Sequence, residues 1–135
     1  MPSDGKIWIS TQDKDLLRTF RAFLWKMLYS MHKVGEYWEN IPNWEHRAIC
    51  YHCDQNAMDN LEHILFSCKV IGQDQVWWLV KETWELRNPR TWPNMNNIGS
   101  ITRCALVNFK TPGGKPRPGD NCLYKILIAE STMLI

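Results

Sequence analysis

The sequence predicts a mostly α-helical protein: a small multi-helix domain built around one structural zinc knuckle with a Cys-Cys-His-Cys ligand set. Three observations predict this class. Apolar residues recur at spacings of three and four in several segments. Eight tryptophans supply large side chains for a core. Three cysteines and two histidines lie between positions 50 and 68. Because 135 residues is an ordinary length for one domain, we expect residues 1–135 to form a single domain.

The N-terminal part predicts one long helix. Residues 1–9 read as a polar lead-in, and Ser10 with Asp13 reads as a helix cap. The helix is expected over residues 10–34, with Gly35 at its end. Its apolar residues recur at three and four and predict a buried face. They are Leu16, Phe20, Phe23, Leu24, Met27 and Met31.

A second face of the same predicted helix combines cations with aromatic rings. Counting about 100° per residue places Lys14, Arg18, Arg21, Trp25, Tyr29 and His32 together. A groove for single-stranded nucleic acid needs this combination, since cations follow phosphates and rings stack on bases. The candidate contacts are Lys14, Arg18, Arg21, Trp25 and Lys26. The alternative is a solvated cationic face whose Trp25 packs under a neighbouring helix.

The zinc module is predicted over residues 50–68. Cys50 and Cys53 are separated by two residues, a spacing that lets one tight turn offer two thiolates to a tetrahedral ion. His63 and Cys68 complete the set of four protein ligands, which are expected to hold structural Zn²⁺. Buried cysteines near a histidine by chance are the alternative interpretation.

His52 competes with His63 for the fourth ligand position. We favour His63 because it lies in an apolar pattern at helical spacing, which would direct its side chain inward. Cys68 follows His63 by five positions, about 140° further round an ideal α-helix. The helix expected over residues 58–68 must therefore end or loosen near Ser67.

The remaining segments predict shorter elements in order. A helical turn is expected after Gly35, and a helix capped by Asp74 is expected to run to Arg87. Residues 98–109 favour a short helix over a strand. Residues 111–119, rich in glycine and proline, predict a loop. A C-terminal helix is expected from Asn121, and its pattern at Ile135 is that of a helix that has been cut short.

These motifs together resemble a known family. The two thiols at Cys50 and Cys53, followed by Leu-Glu-His-Ile-Leu-Phe-Ser-Cys over residues 61–68, are similar to the zinc-binding C-terminal domain of non-LTR (LINE-type) retrotransposon reverse transcriptases, in the fungal type associated with ribonuclease H. Residues 21–26 and Trp77 or Trp78 agree with it more weakly. The resemblance implies a helical zinc domain that assists a polymerase with RNA or DNA and has no catalytic centre of its own.

Composition agrees with a non-catalytic role and limits the partners. A net charge of +2 argues against a dedicated, strongly basic nucleic-acid binder. The sequence shows no membrane span, signal region, phosphate-binding loop or nucleophile motif, so we expect an intracellular protein, nuclear or cytoplasmic, with no small-molecule substrate. The first functional hypothesis is nucleic-acid handling for a retroelement reverse transcriptase. The second is docking on a ribonuclease H or polymerase domain, and the third is a metalloenzyme with an open zinc site.

Overall fold

The protein is mostly helical, as predicted. A computed structural model describes residues 3–53, 55–95 and 97–135, without the side chain of Lys69. In these ranges β-pairing is limited to two isolated bridges, Ile49 with Met58 and Lys110 with Pro116. The α-helices are α1 (Asp4–Ser10), α2 (Arg18–Leu28), α3 (Glu36–Glu39), α4 (Gln73–Arg87), α5 (Ile98–Thr102) and α6 (Pro118–Leu134). Three 3₁₀ turns (Glu45–Ala48, Lys69–Ile71, Cys104–Leu106) and a π-helix (His63–Ser67) complete the helical elements.

The backbone forms two compact units. The first consists of residues 1–30 and 99–134, and the second of residues 31–98 with Ile135. The zinc module predicted over residues 50–68 lies wholly in the second unit, and α2 lies wholly in the first. The prediction of one domain over residues 1–135 stays a prediction.

The prediction of a single helix over residues 10–34 is wrong, because the structure has two helices, α1 and α2, with a turn between them. Ser3 caps α1 by accepting a hydrogen bond from the Lys6 N–H (3.4 Å), so residues 4–9 of the expected lead-in are helical, while residues 1 and 2 lie outside the described part. Ser10 and Thr11 then donate their hydroxyls to carbonyls three residues back, at 2.6 and 2.7 Å. Polar side chains that bond to nearby backbone compete with helix continuation, which explains the break before α2.

The first unit has a small apolar core. Leu16, Phe20 and Leu24 are buried, as the predicted stripe requires, but Met31 is exposed because α2 already ends at Leu28. Ile101 from α5 and Tyr124 from α6 are also buried, and the Tyr124 ring meets Phe109 edge to face at 5.5 Å. Burial raises the pKa of the Cys104 thiol in this core to about 12, so Cys104 stays protonated and unreactive.

Several later predictions are confirmed, and two boundaries need correction. α3 and α5 are short helices where short helices were expected, and α4 ends at Arg87. The N-cap of α4 is Gly72 in a left-handed conformation, and Asp74 lies inside the first turn. The loop predicted over residues 111–119 ends at Arg117 because Pro118 begins α6. Proline suits a first helical position, where its fixed φ fits and no backbone donor is needed.

A buried lysine joins α6 to the turn before α2. The Lys125 ammonium lies 3.1 Å from a carboxylate oxygen of Asp13 and 3.1 Å from one of Asp15. Burial alone would lower the pKa of Lys125, but the two carboxylates outweigh it and raise the pKa above its usual value. Because the folded pKa is raised, this contribution to stability is complete below the unfolded-state pKa and is lost as pH rises through the folded pKa.

Removing the two acids should therefore destabilise the protein more than removing the lysine. Asp13→Asn with Asp15→Asn leaves a buried ammonium without counter-charge, at a cost of about 3 kcal/mol. Lys125→Met removes the charge and keeps the apolar stem, with an expected loss of about 1 kcal/mol. Denaturant unfolding at neutral pH measures both, with the exposed Glu130→Gln as control. Equal losses for the two variants would contradict this account.

Candidate metal centre

Two short stretches of backbone pair to present the first cysteine. The Cys50 N–H donates to the Ala57 carbonyl at 2.9 Å, and the Asp59 N–H donates to the Ala48 carbonyl at 2.8 Å. Residues 48–50 therefore run antiparallel to residues 57–59 around the bridge between Ile49 and Met58. The connecting turn carries Cys53 back towards Cys50, and Cys50 itself is buried.

The second pair of side chains comes from the first residue of a π-helix, His63, and from the residue that follows its end, Cys68. The Cys68 N–H donates to the His63 carbonyl at 2.8 Å, an i→i+5 bond that brings residues five apart back to nearly one side of the helix. An ideal α-helix would separate them by about 140°. The expected helix over residues 58–68 is thus replaced by a shorter, wider one. Its end at Ser67 confirms that the helix must loosen there.

Two contacts hold this π-helix in place. The Asn60 side-chain oxygen accepts from the His63 N–H at 2.9 Å, which satisfies one of the free donors at the start of the helix. At the other end the Trp77 indole N–H donates to the Leu65 carbonyl at 2.7 Å, and the Trp77 ring stacks on Phe66 at 5.7 Å. Trp77 is buried on α4, as its helical spacing with Trp84 predicts.

The four predicted ligand atoms converge. Within the described residues, the ligand atoms of Cys50, Cys53, His63 and Cys68 all lie within 4.8 Å of one another. The two sulfurs of Cys50 and Cys68 are 3.8 Å apart, and the Cys53 sulfur is 3.4 Å from Nε2 of His63. Cys50, His63 and Cys68 are buried, and Cys53 is half-buried. This Cys₃His cluster can bind a metal ion.

His52, the competing ligand, lies outside the cluster. Its ring is exposed and packs on Tyr51 with centroids 4.1 Å apart. The apolar pattern around His63 was therefore the better guide to which histidine is directed inward. The sequence analysis did not identify Asn60, although it stands three residues before His63, an N-cap spacing. Gly35, which is buried behind Asn60, was predicted only as a helix end.

The surroundings of Cys68 disfavour its free thiolate. Burial raises the pKa of Cys68, and the neighbouring Cys50 thiol raises it further, while a hydrogen bond with the Val70 backbone acts in the opposite direction. A divalent cation reverses this balance because its charge stabilises the thiolates that bind it. The five cysteines are free thiols, Cys104 and Cys122 included.

The predicted nucleic-acid contacts lie on the first unit. Arg18, Arg21, Trp25 and Lys26 line one surface cavity of about 370 Å³, together with Gln12 and Ala22. Lys14, which lies in the turn between α1 and α2, does not line this cavity. Trp25 is 41% exposed, so it is not packed under a neighbouring helix.

A row of aromatic rings extends from Trp25, and Trp8 is the member of this row that the helix pattern did not predict. Tyr29 lies 4.6 Å from the Trp25 ring, and Trp8 meets Tyr29 edge to face at 5.3 Å. All three rings are exposed by more than a third. Trp8 was assigned to a non-helical lead-in, whereas α1 carries it to the edge of this row.

Comparison of the chain with models of protein families, with curated proteins and with solved structures finds no match. In the described part of the chain, no helix combines the length and apolar character needed to cross a bilayer.

Replacing Cys53 should abolish stoichiometric metal binding. Cys53→Ser removes one thiolate from the cluster, whereas Cys122→Ser removes a half-buried thiol outside it. We expect the first variant to lose bound metal and the second to retain one ion per chain, measured by elemental analysis after gel filtration. Equal metal content in the two variants would show that the cluster is not the binding site.

Gly35→Ala should disturb the metal cluster by displacing Asn60. Gly35 has φ +45°, and a Cβ there would lie 3.1 Å from the Cβ and 3.2 Å from the Cα of Asn60, which holds the His63 N–H. Strain of this kind costs about 1–3 kcal/mol. We expect a lower thermal midpoint and weaker metal binding. Gly119→Ala, with open space around it and no positive φ, is the control, and an equal effect of both substitutions would refute the prediction.

Proposed function

We propose that the cluster binds one structural Zn²⁺ ion. The observation that supports this is the spacing of the ligand atoms. Zn–S bonds of about 2.3 Å and a Zn–N bond of about 2.0 Å at tetrahedral angles place two sulfurs about 3.8 Å apart, and sulfur and nitrogen about 3.5 Å apart. The separations are 3.8 Å between Cys50 and Cys68 and 3.4 Å between Cys53 and His63. Borderline-soft zinc accepts thiolate and imidazole together.

Four protein ligands make this a non-catalytic site. A catalytic zinc keeps one position for water or substrate, while Cys50, Cys53, His63 and Cys68 fill a tetrahedral shell. The ion would stabilise the fold by joining the paired segments 48–50 and 57–59 to the π-helix. The proposal of an open metalloenzyme site therefore ranks last. Free thiols throughout the chain support an intracellular compartment, nuclear or cytoplasmic.

The module would assist a polymerase by holding single-stranded RNA or DNA along α2. Arg18, Arg21 and Lys26 give this helix three cations and no acid. Asp13 and Asp15, the acids nearest in sequence, are paired with Lys125. In the described part of the chain no carboxylate forms an ion pair with the three α2 cations. Their charge is therefore available to phosphates.

The exposed rings beside these cations supply the second requirement of a single-strand groove. Trp25, Tyr29 and Trp8 form a row of partly exposed faces, and stacking on such faces tolerates any base. The resemblance to the zinc-binding domain of LINE-type reverse transcriptases agrees with this use. It motivates the proposal that the chain serves a retroelement reverse transcriptase as a non-catalytic accessory module.

A protein-docking role is the second candidate, and one surface favours it. Leu79 and Leu86 lie seven residues apart on α4 and are 56% and 88% exposed, and Trp78 beside them is 59% exposed. Residues seven apart share one helix face, so Leu79 and Leu86 expose apolar surface on the same face of α4, with the exposed Thr83 between them. A ribonuclease H or polymerase domain would be the partner that covers it.

Charge reversal on α2 should weaken nucleic-acid binding in a salt-dependent way. Arg18→Glu with Arg21→Glu removes two phosphate contacts, so the slope of log K against log salt should become shallower by about 1.4 for a single strand. The control is Lys110→Glu with Lys115→Glu, which makes the same charge change in the exposed segment before α6. Fluorescence anisotropy over a salt series measures both.

Trp25→Ala separates stacking from charge. This substitution should weaken the binding free energy for a single strand by about 1–3 kcal/mol and leave the slope of log K against log salt unchanged. If both α2 variants bind single strands as the unaltered protein does, α2 is not the contact surface and the docking role gains support.

A further inference from the structure

A second cavity lies beside the metal cluster, in the second unit. It has a volume of about 550 Å³ and is lined by Trp38, His46, Arg47, Tyr51 and Asp59. None of these residues belongs to the α2 surface, and none is a metal ligand. The cavity combines aromatic faces, a cation and a carboxylate, and each of these groups has a defined environment.

Arg47 is held by two tryptophans. Its guanidinium carbon lies 4.9 Å from the Trp38 ring centroid and 4.4 Å from that of Trp44. Trp38 is fixed in turn, because its indole N–H donates to the Lys33 carbonyl at 2.9 Å. Over the described residues Arg47 has no carboxylate partner, so its donors are oriented by stacking and remain available to an anion.

Asp59 supplies the opposite charge without pairing with Arg47. Its side chain is half-buried, and in the ranges that the structure covers no hydrogen bond or ion pair reaches its carboxylate. Its backbone N–H is bonded to Ala48, which fixes the residue at the cavity wall. An ionised carboxylate only accepts hydrogen bonds, so a ligand here must present N–H or O–H groups to it.

The aromatic rings, the Arg47 cation and the Asp59 carboxylate together limit which ligands this cavity can bind. Exposed rings such as Tyr51, which is 85% exposed, suit a flat, stacking group. Of the RNA bases, guanine alone carries two adjacent N–H donors on its Watson–Crick edge. Adenine and cytosine place an acceptor nitrogen beside the amino group, and uracil places its N–H between two carbonyls. A carboxylate therefore favours guanine, and the clamped Arg47 suits the phosphate beside it.

We propose that this cavity binds one guanine nucleotide of a single strand, with Asp59 as the residue that determines base specificity and Arg47 as the phosphate contact. The inference rests on the proposed nucleic-acid function and adds base selectivity, which α2 does not provide. The site also depends on the metal. Arg47 and Tyr51 flank residues 48–50, which pair with residues 57–59, and the cluster closes that pairing.

The test uses the zinc-loaded protein and a labelled short oligouridylate with one central guanosine, compared with the same strand carrying adenosine. We expect about tenfold tighter binding of the guanosine strand, as one paired base edge typically provides. Asp59→Asn should abolish this preference, because a carboxamide presents a donor beside its acceptor and no longer matches the two N–H groups of guanine, while the exposed Glu82→Gln should retain it. Arg47→Ala should weaken both strands alike.

A change in the probe tests the site without altering the protein. Inosine keeps the ring N–H of guanosine but lacks its exocyclic amino group, so an inosine strand should lose most of the preference. Removing zinc with a chelator should also abolish it. Unchanged preference with Asp59→Asn or with inosine would overturn the proposal.

The outcomes separate this inference from the proposed function. If Arg18→Glu with Arg21→Glu weakens both strands and no guanosine preference exists, the α2 function stands and the cavity proposal fails. If the preference depends on Asp59 but α2 reversal has no effect, the cavity proposal stands and the α2 function fails. If the protein binds neither strand, both fail. A protein partner whose binding is lost with Asp59→Asn, without any base preference, would overturn the cavity proposal.

Discussion

The thiols of Cys50 and Cys53 come from one turn. The imidazole of His63 and the thiol of Cys68 come from the π-helix and its end. The convergence of these four side chains constrains the backbone that connects the turn to the π-helix. Their ligand atoms lie within 4.8 Å of one another. Three features serve this convergence: the pairing of residues 48–50 with 57–59, the π-helix, and the contact of Gly35 with Asn60. Zinc binding in small modules contributes about 10 kcal/mol or more, comparable to the whole stability of a domain.

The two proposed nucleic-acid surfaces would contribute different properties. The α2 cavity combines cations with a row of exposed rings, which suits affinity that is independent of sequence and sensitive to salt. The cavity of Asp59 and Arg47 has one fixed cation and one carboxylate, which suits selection of a base over affinity. Lys125 contributes indirectly to the α2 surface. It pairs with Asp13 and Asp15, whose negative charges would otherwise repel phosphates.

Sequence reasoning succeeded where the determining interactions are local. The spacing of Cys50 and Cys53 and the apolar pattern around His63 were enough to identify four side chains that converge. The prediction of one helix over residues 10–34 was wrong, because the spacing of apolar residues does not show whether the Ser10 and Thr11 hydroxyls bond to solvent or to the nearby backbone. Neither the π-helix nor the Arg47 clamp was predicted. The first is supported by Trp77, which is twelve residues from Leu65. The second depends on the Trp38 and Trp44 rings meeting on one guanidinium, which no helical or strand spacing encodes.

X-ray absorption at the zinc edge of the purified protein tests whether the metal site is closed, because it reports the atoms bound to the metal independently of the fold. We predict three sulfur neighbours at about 2.3 Å and one nitrogen at about 2.0–2.1 Å, with no further ligand. A shell containing oxygen, or fewer than three sulfurs, would contradict a closed site made by Cys50, Cys53, His63 and Cys68.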